Sequence, residues 1–502
     1  MDFLHNLYIG FQTSLSLINL WYAFLGAMLG TLIGVLPGLG PIATIAMLLP
    51  SMYTLEPTSA LIMLAGIYYG AQYGGSTTAI LINVPGEASS VVTALDGYKM
   101  ARKGRAGAAL ATAALGSFFA GTIGTMVVAA FAPPLTALAF EFGAPEYCAL
   151  MFLGLVGAVV LASGSLAKAL AMVVLGLLLG QINTDVITAV PRFSFGITEL
   201  MDGINFVVIA MGVFSFGEII ANLGKPAEHR DVFIKKVTGL MPTKQDFKDS
   251  APAALRGTIL GCLLGVLPGA GPMLASFTSY SVEKKVAKNP GEFGQGAIQG
   301  VAGPEAANNA GAQTSFIPML TLGIPTSAVM ALMIGAMTLM GIQPGPQVMT
   351  TNPSLFWGLI TSMWVGNLML VILNLPLIGI WVKLLTVPYR FLFPAIMAFC
   401  AIGVYTLSNN TFDVYCAAAF AVLGFVFHKL GFEPAPLILG FILGPMMEEN
   451  LRRALLMAHG DWSVFVTRPI SATMIVVAVG LMIAITLPAI SKKREEVFVE
   501  DE

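Results

Sequence analysis

Charge is what this sequence has least of. Its 25 Lys/Arg and 27 Asp/Glu are spread over 502 residues, so 10% of the chain is charged, against about a quarter in a soluble protein. A soluble domain of this length needs more polar surface than that. With 56% hydrophobic residues, a polytopic membrane protein is the class that fits. Cysteine is also scarce. Cys148, Cys262, Cys400 and Cys416 form no CxxC pair and read as small buried hydrophobes. His5, His229, His428 and His459 are scattered and show no metal-binding spacing. The sequence has no GxxxxGK[ST], which argues against ATP hydrolysis, and no serine-nucleophile elbow, metal-hydrolase signature or arginine-rich voltage sensor. Gly38–Ala43 imitates part of a dinucleotide fingerprint but lacks the strand–turn–helix setting. The N-terminus MDFLHNLYIGF lacks the basic region and cleavage site of a signal peptide, so the mature protein is expected to be the whole chain.

What the chain has is glycine in a repeated pattern. Gly34–Pro41 reads GVLPGLGP and Gly265–Pro272 reads GVLPGAGP, 231 residues later. Both end a ladder with glycine at every fourth position: Gly26, Gly30, Gly34, Gly38, then Gly257, Gly261, Gly265, Gly269. Small residues at that spacing make a ridge for close helix packing. Proline removes a backbone donor and breaks the helix. Broken backbone at membrane depth must be buried in protein or line a cavity, where its helix ends can hold ions. Pro37, Gly38, Gly40, Pro85, Gly86, Pro268, Gly269, Gly271 and Pro325 are the candidate helix-break or ion-binding positions. Na⁺ is the candidate metal there.

Apolar segments recur at membrane length, among them 40–66, 70–86, 306–324 and 326–343. About 10 to 14 spans are expected. Basic residues cluster in Lys99–Arg105, in the central stretch 223–252, in Ser281–Lys288, at Leu451–Arg453 and at Lys492–Arg494, which places these in the cytoplasm. The loops Met52–Thr58 and Gly341–Ser354 carry no Lys or Arg and are placed outside. In the first half the uncharged loop follows the Pro-Gly break and the basic loop comes later. In the second half the order is exchanged, as inverted repeats require. The expected architecture is an all-α polytopic membrane protein with discontinuous helices or re-entrant hairpins. It comprises a first repeat (1–222), a cytoplasmic linker (223–252), a second repeat (253–490) and a polar cytoplasmic tail (491–502).

The second element of each half is dense in polar groups. Residues 66–87 read GIYYGAQYGGSTTAILINVPGE, and residues 305–328 read EAANNAGAQTSFIPMLTLGIPTSA. Buried amides and hydroxyls are costly unless paired, so clusters of them favour a site. The candidate substrate-binding residues are Ser76, Thr77, Thr78, Asn83, Asn308, Asn309, Thr314, Thr326 and Ser327. Gln72 and Gln313 accompany them. Neutral donors suit a carboxylate guest that must also be released, and their oxygens suit Na⁺. For a single Ser or Thr, a bond to its own helix backbone is the competing role. Glu87 and Glu305 read as cation ligands, proton carriers or gating partners, with helix capping the default. Tyr68, Tyr69 and Tyr73 read first as ring packing.

These motifs resemble the large permease subunit of the tripartite tricarboxylate transporters, the TctA family. The stretches that carry the resemblance are GVLPGLGP, YYGAQYGGSTTAILINVPGE with TALDGYKMARKGRAG, RGTILGCLLGVLPGAG, and GVAGPEAANNAGAQTSFIPMLTLGIPTSAVMALMIGAM. They span Gly34–Gly107 and Arg256–Met337. The resemblance implies a multi-pass protein of the bacterial inner membrane that imports carboxylates by ion-coupled secondary transport. Its implied partners are a periplasmic solute-binding protein and a small four-span membrane subunit, besides the carboxylate and the lipid bilayer; no nucleic acid is expected. No cofactor is expected beyond a coupling ion, Na⁺ or H⁺. Thr326 stands where the first half has Gly86, so the two halves are not chemically equal. The expected mechanism is alternating access, without enzymatic activity. An anion channel or a carboxylate exporter is the alternative, with a membrane-embedded enzyme less favoured.

Overall fold

The computed structural model describes residues 3–36, 40–52, 54–83, 86–162, 165–185, 188–217, 220, 237, 239–267, 271–385 and 389–486. Most of the chain to residue 223, little of the linker before residue 239 and none of the tail fall within these ranges. The first part comprises α1 (Phe3–Ser14), α2 (Leu17–Gly34), α3 (Pro41–Met52), α4 (Pro57–Ile82), α5 (Val91–Met100), α6 (Ala106–Ala139), α7 (Ala144–Leu161), α8 (Leu166–Gly180) and α9 (Phe206–Ala210). The second comprises α10 (Lys244–Leu264), α11 (Gly271–Val286), α12 (Gln299–Thr314), α13 (Phe316–Leu322), α14 (Ala328–Leu339) and α15 (Pro353–Asn374). It continues through α16 (Ile378–Leu384), α17 (Tyr389–Ser408), α18 (Thr411–Leu430), α19 (Ala435–Met457) and α20 (Pro469–Thr486). Among the described residues the only strand pairing joins Asn183–Thr184 to Pro191–Arg192.

Among the described residues, four helices are long and apolar enough to cross a membrane: Leu17–Gly34, the run Ala88–Ala139, Pro353–Asn374 and Thr411–Leu430. Six further apolar helices are 10–17 residues long. Short apolar helices follow where proline and glycine interrupt a span. The run 40–66, read as one segment from the sequence, is divided between α3 and α4. Pro57 takes the first helical position, where a missing N–H costs nothing, and the Glu56 carboxylate accepts from Ser59 N at 3.3 Å. The expected segment 70–86 is then the second half of α4.

The glycine ladders explain the central packing. In α2, a Cβ at Gly26, Gly30 or Gly34 would overlap the carbonyl oxygens of Met63, Ile67 or Ala71 on α4. At Gly257 and Gly261 of α10 and at Gly265, which caps it, a Cβ would overlap those of Gly303, Ala307 and Gly311 on α12. Both halves therefore bury one polar helix against a glycine ridge. Almost every residue of α4 and α12 is buried. A helix buried on all sides belongs to the interior of a bundle.

Chain direction is marked by contacts at the helix ends. α4 starts where Thr58 meets Gly358, near the start of α15. It ends where the Ile80 side chain fills the space beside Gly97 of α5. α12 starts beside α5, against Asp96. The basic segment after α5 reaches the second half there: Lys103 Nζ donates to the Gln295 carbonyl at 2.5 Å, and Arg105 pairs with Asp246 at the start of α10.

Candidate functional site

Two helix breaks, 240 residues apart, share one backbone course. α4 ends at Asn83 in the left-handed region (φ 57, ψ 29), and Glu87 is extended (φ −150, ψ 162) before the helix restarts. α13 ends at Gly323 (φ 70, ψ 26), and Ser327 is extended (φ −153, ψ 169) before α14. Glycine takes the left-handed conformation freely, and asparagine is among the few other residues that tolerate it. Ser327 Oγ then caps α14 by accepting from Met330 N at 3.3 Å. Pro325 lies between Gly323 and Ser327 and removes a donor there. A Cβ at Gly86 would run into Gly34 and Gly75, so the first break permits no side chain at that position. The second break carries Thr326 there, buried, with no partner for its Oγ1. Gly40 lies against the Gly86 carbonyl, and Gly271 against that of Gly265. Pro37, Gly38, Pro85, Pro268 and Gly269 lie outside the described residues.

The two breaks meet through side chains. Asn308 Nδ2 of α12 donates to Glu87 Oε1 at 3.2 Å, and Ser89 Oγ donates to the same oxygen at 2.5 Å. The Tyr68 hydroxyl interacts with Glu87, Gln72 and Ser327, joining the first half to the second. Gln72 Oε1, Asn308 Oδ1 and Thr326 Oγ1 are buried without a partner. Each such group costs about 1–3 kcal/mol unless a guest satisfies it. Oxygens beside one carboxylate fit a hard monovalent cation, and a half-turn of either carboxamide presents NH₂ to a carboxylate instead. Among the described residues no three His, Cys, Asp or Glu converge, so the donor set suits Na⁺ better than a transition metal. Gln313 Oε1 is also unpartnered, but its side chain leaves α12 toward Gly124 of α6.

Asn309 faces another way. Its Nδ2 donates to Ser117 Oγ at 2.7 Å and to the Glu305 carbonyl at 3.0 Å. Beside it lies a small cavity lined by Tyr73, Ser76, Thr77, Ser117, Glu305, Asn374 and aliphatic side chains. The Glu305 carboxylate accepts from Ser76 Oγ at 2.7 Å, from Thr93 Oγ1, and from Ser117 Oγ at 3.4 Å. It sits inside α12, not at a helix end, so capping is not its role. Glu87, in contrast, does occupy an N-cap position.

Three other candidates keep their hydroxyls on helix backbone: Thr77 on Tyr73 O, Thr78 on Gly75 O and Thr314 on Ala310 O. Asn83 is exposed and forms the left-handed helix end. Tyr68 and Tyr69 pack on Phe316, and the Tyr73 hydroxyl donates to Asn367 Oδ1 at 3.0 Å. Thr93, Ser117, Asn367 and Asn374 join these networks with no local sequence signal. Each is one polar residue in an apolar or basic stretch.

Asp96 was equally hidden among basic neighbours. Fully buried, it accepts from Gly294 N, Gly296 N and Ala297 N at 2.7–2.9 Å and from the Tyr280 hydroxyl at 2.9 Å. It thereby locks α5 to the segment leading into α12. Nearby, burial alone would push the Asp246 carboxyl up, but the Arg105 guanidinium and the Thr243 amide and hydroxyl hold it below the ordinary carboxylate value.

Similar proteins are found over the whole chain. The "Uncharacterized 52.8 kDa protein in TAR-I ttuC' 3'region" of Agrobacterium vitis is 60% identical over 502 residues, covering 100% of both chains. The "Uncharacterized protein in TAR-II ttuC' 3'region" of the same organism is 62% identical over 242 residues, covering 48% of this chain and 100% of that protein. No solved structure matches. Residues 20–439 match the Tripartite tricarboxylate transporter TctA family, and the chain belongs to that family, as a multi-pass transport subunit of the bacterial inner membrane and not an enzyme.

Proposed function

We propose that the chain imports a di- or tricarboxylate by alternating access, coupled to inward movement of Na⁺ or H⁺. In this reading a periplasmic solute-binding protein delivers the substrate, and a small four-span subunit completes the complex. One observation carries the reading beyond family membership: Asn308 of the second half donates to Glu87 at the first break, and Gln72 Oε1, Asn308 Oδ1 and Thr326 Oγ1 are buried without a partner. A guest bound there touches both halves, so its binding free energy can favour one arrangement of them over another. Cations at the breaks lower the cost of burying the anion. Asn308, Thr326 and Ser327 are the side chains we assign to orienting it at the junction, and Ser76 and Asn309 act from the adjoining Glu305 network. The remaining candidates, Thr77, Thr78, Asn83 and Thr314, shape the helices that carry these groups.

We further propose that the halves, 1–222 and 253–490, are inverted repeats joined by a cytoplasmic linker, with a cytoplasmic tail at 491–502. Contact geometry supports this. α4 starts beside the uncharged loops and runs toward the basic segments, whereas its counterpart α12 starts beside the basic segments. Uptake of a panel of di- and tricarboxylates into proteoliposomes holding the permease and its small subunit tests the import reading. Uptake that requires the binding protein on the outer side supports it. Efflux without binding-protein-dependent uptake makes the chain an exporter.

A further inference from the structure

Six carboxylates among the described residues are buried: Asp96, Glu146, Asp185, Asp246, Glu283 and Glu305. Five are held chiefly by groups that can only donate. Asp96 takes three backbone N–H groups, and Glu146 takes Arg468 and the Gly143 N–H. Asp185 pairs with Arg192 and Arg452, Asp246 with Arg105, and Glu283 with Arg256. A guanidinium or an amide N–H cannot accept a hydrogen bond from a protonated carboxyl. Those shells fix the anion.

Glu305 is different. Its side-chain partners are three hydroxyls, from Ser76, Thr93 and Ser117. A hydroxyl both donates and accepts. With Glu305 ionised, Ser76 donates to Oε1. With a proton on Oε1, that O–H donates to Ser76 Oγ, and Ser76 turns its own hydrogen to the Gln72 carbonyl, 3.0 Å away. No donor is stranded in either state. The charged and titratable groups around it leave this exchange intact. Tyr73 of α4 and Glu87 act on it electrostatically without bonding it. Asp96 of α5 is turned to Gly294–Ala297, Tyr280 of α11 to Asp96, and Glu283 of α11 to Arg256 of α10. α6 and α13 carry no charged residue. Glu305 also lines the small cavity beside Asn309.

We propose that Glu305 is the coupling site of this transporter, binding one proton on one side of the membrane and releasing it on the other in each cycle. The proposal rests on the transport reading and narrows its coupling ion to H⁺. No bond other than that of the carried proton forms or breaks: Glu305 Oε1 gains it from water and returns it to water.

Infrared difference spectra of the purified chain, taken between about pH 5 and about pH 9, test the site without substrate. Wild type is expected to gain a protonated-carboxyl band toward acid. That band is lost in Glu305→Gln and reappears at a shifted frequency in Glu305→Asp. An identical band in Glu305→Gln overturns the proposal; if that variant fails to fold, an unshifted band in Glu305→Asp does so. In proteoliposomes of the complete complex, an imposed pH gradient is expected to drive citrate accumulation by wild type and Glu305→Asp but not by Glu305→Gln. Accumulation by Glu305→Gln equal to wild type, or accumulation that follows only a Na⁺ gradient, also overturns it. Where wild type takes up another member of the di- and tricarboxylate panel, that compound replaces citrate; absence of uptake of every member alongside a titrating Glu305 band contradicts the transport reading instead.

Discussion

Asn308 and Asn309 are adjacent in α12 yet serve two different networks: Asn308 donates to Glu87 at 3.2 Å, and Asn309 donates to Ser117 at 2.7 Å. The first belongs to the junction of the helix breaks and the second to the Glu305 cavity. Asn308→Ala and Asn309→Ala are each expected to lower saturable uptake while leaving membrane insertion intact. A hydrogen bond to a charged group is worth about 1.5–3 kcal/mol, so about a 10- to 100-fold loss in uptake efficiency is expected for Asn308→Ala. Unchanged kinetics in both variants would remove these residues from the site.

The glycine ridges give a prediction about stability. Gly30→Ala and Gly261→Ala each push a methyl group into a carbonyl of the neighbouring helix, at Ile67 and Ala307. Overpacking of this kind costs about 1–3 kcal/mol. Thermal unfolding in detergent should show both variants melting below wild type. Wild-type melting temperatures would mean that these helix pairs are looser than described.

Asp96 gives a second stability prediction, of a different kind. Asp96→Ala strands the amides of Gly294, Gly296 and Ala297. Orphaned buried donors cost about 1–3 kcal/mol each, less where water enters. Asp96→Asn keeps one acceptor oxygen and is expected to fall between Asp96→Ala and wild type. Hydrogen exchange at residues 294–297 reports the loss locally, and protection unchanged in Asp96→Ala would contradict the lock.

Sidedness is testable by cysteine labelling after replacement of Cys148, Cys262, Cys400 and Cys416. Thr54→Cys and Gly345→Cys should react with an impermeant reagent from outside the cell, and Lys103→Cys and Lys288→Cys only from inside. Labelling of Thr54→Cys and Lys288→Cys, which lie in the loops that follow the two breaks, from the same side would refute the inverted arrangement of the halves.

Much of this was legible in the sequence because the constraints are local. Glycine at every fourth position encodes a close helix contact, and the contacts of Gly30 and Gly261 are of that kind. The Asn83–Glu87 and Gly323–Ser327 breaks were visible as Pro-small pairs after apolar runs. What stayed hidden depends on tertiary approach. Thr93 and Ser117 are 212 and 188 residues from Glu305, and no periodicity announces that they donate to it. Asp96 was masked by Lys99, Arg102, Lys103 and Arg105, which made the whole stretch read as a basic loop. The loop Met52–Thr58 was legible from its lack of Lys and Arg, although the apolar segment 40–66 runs across it.

The most direct test of ion-coupled import is the steady-state distribution of a transported carboxylate in sealed proteoliposomes of the complete complex under an imposed ion gradient. Coupled transport predicts that the internal concentration rises above the external one and falls back when an ionophore collapses the gradient. Rapid equilibration to equal concentrations, unaffected by any ion gradient, would contradict it and make the protein a channel.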